Sequence, residues 1–335
     1  MLPVVFLSSD FPGIPVGVVE IRGNSFRTVL LPSGNSILER LSVMPEEQLS
    51  AARAVVSVLT DKLDHSTLSA MKLKMPHLDL VANYAVGFNN IDVSAARTLD
   101  IAVTNTPHVL GDATADLTLL LMLMVARDVF PRAVEMHTQS CFPGWSPRYG
   151  LGVDLAGRTL GIVGFGDIGR RVALRARALG MHVIALTSFS ELAAQAAPTE
   201  MPIERYPEAE FLARTDVLSL HCPLTPATRG WLNADRLGAL KQGSMVINTA
   251  RGEVVDEAAL AAALRSRHLF GAGLDVFCGE PKLSEALRGV PRLLVLPHLG
   301  SATVETRTAM GARVLENLFA LFCGQTPLPS QILVS

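Results

Sequence analysis

The chain has 335 residues, 49% of them hydrophobic, with 29 Lys and Arg against 31 Asp and Glu for a formal charge of -2. That length accommodates two domains with separate cores. The balanced charge, with no local basic cluster, excludes the electrostatic footprint of a nucleic-acid or anionic-membrane binder.

The chain opens on a short apolar run, Val4 to Leu7, which reads as a first strand; no basic stretch precedes it, so a signal peptide is not expected. Val55 to Leu59 and Leu78 to Ala82 are further strands, flanking a helical stretch around Leu63 to Leu73. Strands alternating with helices imply βαβ units and a parallel sheet. The stretch from Phe11 to Ser42, with its Val-Gly-Val-Val-Glu and Pro-Ser-Gly-Asn runs, holds no clear helix. A strand ends near Thr106-Pro107, and a long helix is predicted from Asp112 to Arg127. Its apolar core, Leu117 to Ala126, is about half of a membrane span and reads as a buried helix. Pro143 to Gly152, rich in Gly, Pro and aromatics, reads as an irregular loop. The pattern then restarts, with strands at Thr159 to Val163, Met181 to Leu186, Val217 to Leu220, Met245 to Asn248 and Leu293 to Leu296. Helices are predicted at Ile168 to Leu179 and Val304 to Phe322, the last packing back on the first assembly. The fold expected is α/β with two Rossmann-like domains. One is a flavodoxin-like substrate domain of residues 1–104 plus 302–335, the other a dinucleotide-binding domain of residues 105–301. Cys141, Cys222, Cys278 and Cys323 are scattered without metal-ligand spacing and read as free thiols of a reducing, cytoplasmic compartment.

Gly164-Phe165-Gly166-Asp167-Ile168-Gly169 sits directly after a predicted strand and opens a helix, where a dinucleotide fingerprint has mechanical meaning. Gly164 permits the tight turn, Gly166 lets the backbone approach a pyrophosphate, and Gly169 lets helix and strand pack closely. The helix N-terminus offers free N–H groups and partial positive charge to the phosphates. The second strand then ends Ala185-Leu186-Thr187-Ser188, with no acid before Glu191 to bind a ribose 2′-hydroxyl. Thr187 and Ser188 suit a 2′-phosphate, although no Arg follows them, and Asp167 adds negative charge nearby. The balance favours NADP over NAD narrowly.

Three further segments each place an ionisable residue just after a strand-like run: Arg251 after Asn248-Thr249-Ala250, Glu280 after Gly273 to Gly279, and His298 after Pro297. In an open parallel sheet those ends face the cofactor crevice. Taken singly, each has a plain structural reading as a turn residue or a satisfied core side chain. Together, downstream of a dinucleotide loop, they suit reduction of a keto acid. Arg251 pairs with the carboxylate and polarises the carbonyl. His298 gives a proton to the carbonyl oxygen, and Glu280 orients the imidazole and keeps it charged.

These segments resemble the D-isomer-specific 2-hydroxyacid dehydrogenase family, from about Val55 to Leu321. The matching stretches include Ala82 to Asp92, Thr104 to Pro107, Asp112 to Leu117, the glycine loop, His221 to Pro226 and the three catalytic segments. The resemblance implies Arg251, Glu280 and His298 as the catalytic set, two domains closing over a cleft, and D stereochemistry. It further implies substrate-binding roles for Leu59, Val86, Gly87 and Ser301, the carboxylate resting on backbone N–H groups near Val86 and Gly87. Thr114, Cys222, Pro223, Thr249, Ala250 and Asp275 would contact the cofactor, Asp275 at the nicotinamide amide. The chain looks most like the glyoxylate and hydroxypyruvate reductases, partly through its Gly144-Trp145-Ser146-Pro147 loop. Trp145 would either reach a neighbouring subunit's substrate pocket or pack a homodimer, whose interface is expected at the apolar helix after Asp112. Asn89, where the family usually has Asp, and the small pair Cys278-Gly279 are departures. Other readings are a 3-phosphoglycerate dehydrogenase, disfavoured by missing cations and the chain's stop at Ser335, a phosphite or formate dehydrogenase using NAD, and a dinucleotide-sensing corepressor-like protein. No metal, nucleic acid or membrane partner is expected.

Overall fold

Short β-branched runs with no polar face need cover on both sides, and in the computed structural model they form two separate, mainly parallel sheets. The structure describes residues 2–21, 23–186 and 202–332. Two compact units result, one of residues 1–110 and 301–335, the other of residues 111–300. The sequence placed the first boundary at residue 104. The chain stays with the first unit a little longer, because the Thr106 N–H bonds to the Ala85 carbonyl (2.9 Å) and the Asn105 amide to the Val86 carbonyl (2.8 Å).

The first unit holds β1 (Val4–Leu7), β2 (Gly17–Ile21), β3 (Asn24–Leu30), β4 (Ala52–Ser57), β5 (Leu80–Asn83) and β6 (Ala102–Thr104). Their order is β2-β3-β1-β4-β5-β6, parallel except for β2 against β3. Without β2 this is the flavodoxin-like order expected. The hairpin of β2 and β3 lies in the stretch that shows no clear helix in sequence. It is pinned by Thr28, whose hydroxyl accepts from the Gly17 N–H (2.9 Å) and donates to the Pro15 carbonyl (2.6 Å). Val5, Leu7, Val56 and Ala82 pack one sheet face onto the C-terminal helix Val304–Phe322 through Met310, Val314 and Leu318. Thr303 caps that helix, accepting from the Thr306 N–H at 3.2 Å.

The second unit holds β7 (Thr159–Val163), β8 (His182–Leu186), β9 (Glu204–Tyr206), β10 (Val217–Leu220), β11 (Ser244–Asn248), β12 (Leu269–Leu274) and β13 (Leu293–Val295). Their order, β13-β12-β11-β10-β7-β8-β9, reverses direction between β7 and β10. That reversal is the switch point at which doubly wound sheets bind ligands. The helix Gly111–Ala126 lies against the helix Asp167–Ala178, which buries Gly169, Val172, Ala173 and Ala176 at helical spacing. Outside that apolar seam, Arg171 and Arg175 bridge Asp112, Asp116 and Asp167. Among the described residues no helix is long and apolar enough to cross a membrane.

Candidate active site

The glycine loop leaves β7 at the switch point. Gly164 takes φ +91°, and a Cβ there would stand 2.5 Å from the Cys222 backbone nitrogen at the end of β10. At Gly169 a Cβ would meet the Gly164 carbonyl oxygen at 2.3 Å, so helix and strand touch without a side chain between them. Gly166 differs: it N-caps the helix with no side-chain cap, and a Cβ there would meet nothing within 4 Å. The space over Gly166 and the unpaired helix N-terminus together make a cradle for a pyrophosphate. Asp167 bonds Arg171 at 3.1 Å, so its charge is partly balanced. Thr187 and Ser188 lie outside the described residues.

The three chemical segments follow β11, β12 and β13 at the same end of the sheet. At the end of β11, buried Asn248 accepts from the Ala250 N–H (3.0 Å) and donates to the Arg251 carbonyl (2.9 Å), fixing the turn that presents Arg251. Burial draws the Arg251 guanidinium below its ordinary pKa, against the pull of Glu253 and Glu280. Gly252 sits against the β12 loop so closely that a Cβ would be 2.1 Å from the Phe277 carbonyl carbon. In that loop Glu280 accepts from the Phe277 N–H (3.1 Å) and from His298 Nδ1 (2.8 Å). Burial pushes the Glu280 carboxyl up, but the His298 bond and charge, the Phe277 N–H and the Arg251 charge outweigh it and hold it below the usual range. Glu257, reaching in from the helix Glu257–Arg265, accepts from the Cys278 N–H (2.6 Å) and the Ser284 hydroxyl (2.5 Å), anchoring the same loop. Burial, reinforced by Glu257 and Glu253, pushes the Cys278 thiol up to about 12.

His298 stands in the left-handed region at φ +56°. Asp275 holds it there: its backbone carbonyl accepts from the His298 N–H (2.9 Å), and its carboxylate takes the Leu299 (2.6 Å) and Gly300 (2.8 Å) N–H groups. Asp275 thus shapes the histidine loop, and burial raises its carboxyl pKa against those two bonds. Thr114 closes the turn by donating to the Gly300 carbonyl at 3.2 Å. With Nδ1 on Glu280, His298 keeps Nε2 for another partner, and its side chain is 32% exposed, enough for a small molecule to reach it.

A second histidine in this unit is unsuited to proton donation. His221 is hydrogen-bonded to Ser219 (2.8 Å) and stands 3.5 Å from the Thr249 hydroxyl, itself 3.0 Å from Thr118. Burial pushes its pKa down to about 3, so it is neutral at ordinary pH. Cys222 is buried, its thiol pushed up to about 11. Pro223 is exposed and follows β10, while Ala250 is buried and follows β11. Trp145 is 84% exposed.

In the first unit, Leu59 occupies the turn after β4, which Asp61 closes by accepting from the Val58 N–H at 2.9 Å. Val86 and Gly87 form the loop after β5. Asn105 and Asn83 grip their carbonyls, each at 2.8 Å, while among the described residues neither N–H has an intramolecular acceptor. Two adjacent free N–H groups on a braced loop suit an anion such as a carboxylate. Ser301 precedes the C-terminal helix, and its carbonyl accepts from Arg307 at 3.2 Å.

A family model described as D-isomer specific 2-hydroxyacid dehydrogenase, NAD binding domain, matches residues 119–300. The chain belongs to that family. A glyoxylate reductase of Thermococcus litoralis is 41% identical to it over 98% of this chain and 96% of its own. The solved structure of a Thermus thermophilus protein matches with TM-score 0.84 at 36% identity, covering 98% of this chain and 100% of that one. An NADPH-dependent glyoxylate/hydroxypyruvate reductase of Sinorhizobium meliloti, solved with NADP and malonate, matches at TM-score 0.78 and 30% identity, covering 99% and 97%. As a 2-hydroxyacid dehydrogenase the chain is an NAD(P)-dependent oxidoreductase, and the open cradle over Gly166 fits the dinucleotide it uses.

The sequence missed several residues of the site. Asn248 and Glu257 position the Arg251 and Glu280 loops, yet nothing in their spacing marks them. The motif around His221 was legible, but its bonds to Ser219 and Thr249 were not.

Proposed function

We propose that this dehydrogenase reduces a small 2-keto acid, glyoxylate or hydroxypyruvate, to the D-2-hydroxy acid with NADP(H), His298 serving as proton donor. The observation that carries the chemistry is the His298–Glu280 pair at 2.8 Å, with Nε2 left accessible. The substrate reading rests on relatives named glyoxylate reductase that match across nearly the whole chain.

The bound nicotinamide supplies the hydride. His298 Nε2 donates its proton to the carbonyl oxygen, and Glu280 stabilises the imidazolium before transfer. The Arg251 guanidinium, half withdrawn from water, polarises the carbonyl and engages the carboxylate through its planar fork. Its burial strengthens that interaction by lowering the local dielectric. The free N–H groups of Val86 and Gly87 give the first unit a carboxylate-binding loop of its own. Steady-state rates with NADH and NADPH against glyoxylate, hydroxypyruvate, pyruvate and phosphite test the reading. Turnover confined to phosphite, or none with any 2-keto acid despite cofactor binding, overturns it.

We further propose that the second unit dimerises. The helix Val129–Gln139 buries none of its residues in the single chain, yet exposes Val129, Phe130, Val134 and Met136, and the neighbouring helix Gly111–Ala126 adds exposed Leu120 and Leu123. Large apolar side chains left exposed on two neighbouring helices mark an interface, here with a second copy, so that each patch covers its counterpart. Phe130→Asp is expected to convert the dimer to a monomer in light scattering after gel filtration. A native protein that elutes as a monomer overturns the assignment.

A further inference from the structure

Strand β8 ends without an acid or a base of its own, so the cation that would distinguish a 2′-phosphate has to come from elsewhere. The edge strand supplies one. β9 runs parallel to β8 with Arg205 opposite Ala185, one residue before the end of β8. The Arg205 guanidinium lies over the Phe165 ring, its Cζ 5.6 Å from the centroid. Phe165 is the residue between Gly164 and Gly166, so this places a positive charge against the glycine loop, on the side where the second strand ends.

Among the described residues that cation has no carboxylate partner. Arg205 is exposed. Adjacent Glu204 is held by the Tyr206 hydroxyl. Attraction between the cation and the ring face holds the guanidinium near the glycine loop, and a guanidinium takes a phosphate by paired hydrogen bonds.

We propose that Arg205 is a specificity-determining residue that binds the 2′-phosphate of NADP(H), with Phe165 as the platform that holds it in place. The assignment rests on the reading that the dinucleotide lies on the glycine loop, and it identifies the residue that makes the cofactor NADP(H) rather than NAD(H). Because β9 is distant from β8 in sequence, the charge reaches the site through strand pairing.

The test is calorimetric titration of 2′,5′-ADP and of 5′-AMP into the native protein and Arg205→Ala, with NADPH and NADH titrated alongside. The native protein is expected to bind 2′,5′-ADP at least about tenfold more tightly than 5′-AMP. Arg205→Ala is expected to lose about 10- to 100-fold of the 2′,5′-ADP affinity, the range of a lost charge-assisted hydrogen-bonded contact. Its 5′-AMP affinity should stay within about twofold, since the adenosine gains nothing from a phosphate contact. Equal weakening of both nucleotides means that Arg205 supports the adenosine instead, and overturns the proposal. So does an unchanged 2′,5′-ADP affinity. Failure of the native protein to bind any of the four ligands refutes the glycine-loop reading itself, and the proposal falls with it. An unchanged melting temperature in Arg205→Ala, expected for an exposed side chain, separates these outcomes from misfolding.

Discussion

His298→Ala is expected to lower the turnover of keto-acid reduction by about 10²- to 10⁴-fold, the usual contribution of a positioned general acid, while cofactor affinity stays within about twofold of native. The split follows from the geometry. His298 bonds to Glu280 and to the Asp275 backbone, but the glycine loop owes nothing to it. Stopped-flow reduction with a fluorescence titration of cofactor measures both quantities, and an unaffected rate removes His298 from its assigned role. Glu280→Gln adds the pH dependence. The Glu280 carboxyl is held below its ordinary range by the bond and charge of His298, working against burial. A depressed carboxyl keeps its charge across the ordinary carboxylate range, so what the carboxylate contributes is lost only as pH falls through the lowered value. An amide does not titrate, so Glu280→Gln should remove the acid-side loss of rate that follows protonation of this carboxylate. An acid limb that survives the substitution shows that Glu280 is not the group behind it.

Gly252→Ala is the second large effect. Its Cβ would stand 2.1 Å from the Phe277 carbonyl carbon and 2.5 Å from both the Cys278 nitrogen and the Phe277 oxygen. All three are backbone atoms, so no rotamer can relieve the overlap and the two loops must part. Arg251 lies on one of those loops and Glu280 on the other. Overpacking of this kind costs about 1–3 kcal/mol in stability, and a displacement near 1 Å between catalytic groups costs about 10²-fold in rate. Gly252→Ala is therefore expected to lose kcat/KM by about that factor and to melt earlier. Gly238→Ala is the control: a Cβ there meets nothing within 4 Å in the helix Ala234–Ala239, so it should raise stability by roughly 0.5–1 kcal/mol. Native-like activity in Gly252→Ala would show that the loops accommodate the methyl.

Much of this was readable before any coordinates. β7 and the helix after the glycine loop declare themselves because the hydrophobic period changes from a continuous run to helical spacing across Gly164 to Gly169. The C-terminal helix Val304–Phe322 is equally plain, its Met310, Val314 and Leu318 recurring every four residues. The hairpin of β2 and β3 was not, because its register depends on Thr28 bridging Pro15 and Gly17, a contact across the strands that no local pattern encodes. The helix Val129–Gln139 was missed for a different reason: its apolar residues cover nothing within their own chain, and Pro131 within its first turn looks like a break. At the candidate site, Arg251, Glu280 and His298 are suggested by sequence because each follows a strand run. The proposed Arg205 is not, since the residues that follow β8 directly offer no cation and Arg205 comes from the neighbouring strand.

The left-handed backbone at His298 sets activity against stability at one position. An L-residue pays about 1–2 kcal/mol for its Cβ to stand there, a cost that Asn lessens with a short polar side chain that hydrogen-bonds locally. The three hydrogen bonds that Asp275 accepts, from the His298, Leu299 and Gly300 N–H groups, offset the strain and do not depend on which side chain occupies position 298. His298→Asn is therefore expected to be inactive yet to melt no earlier than the native protein. Selection for thermal stability alone would then drift away from histidine here, and only selection for turnover would keep it.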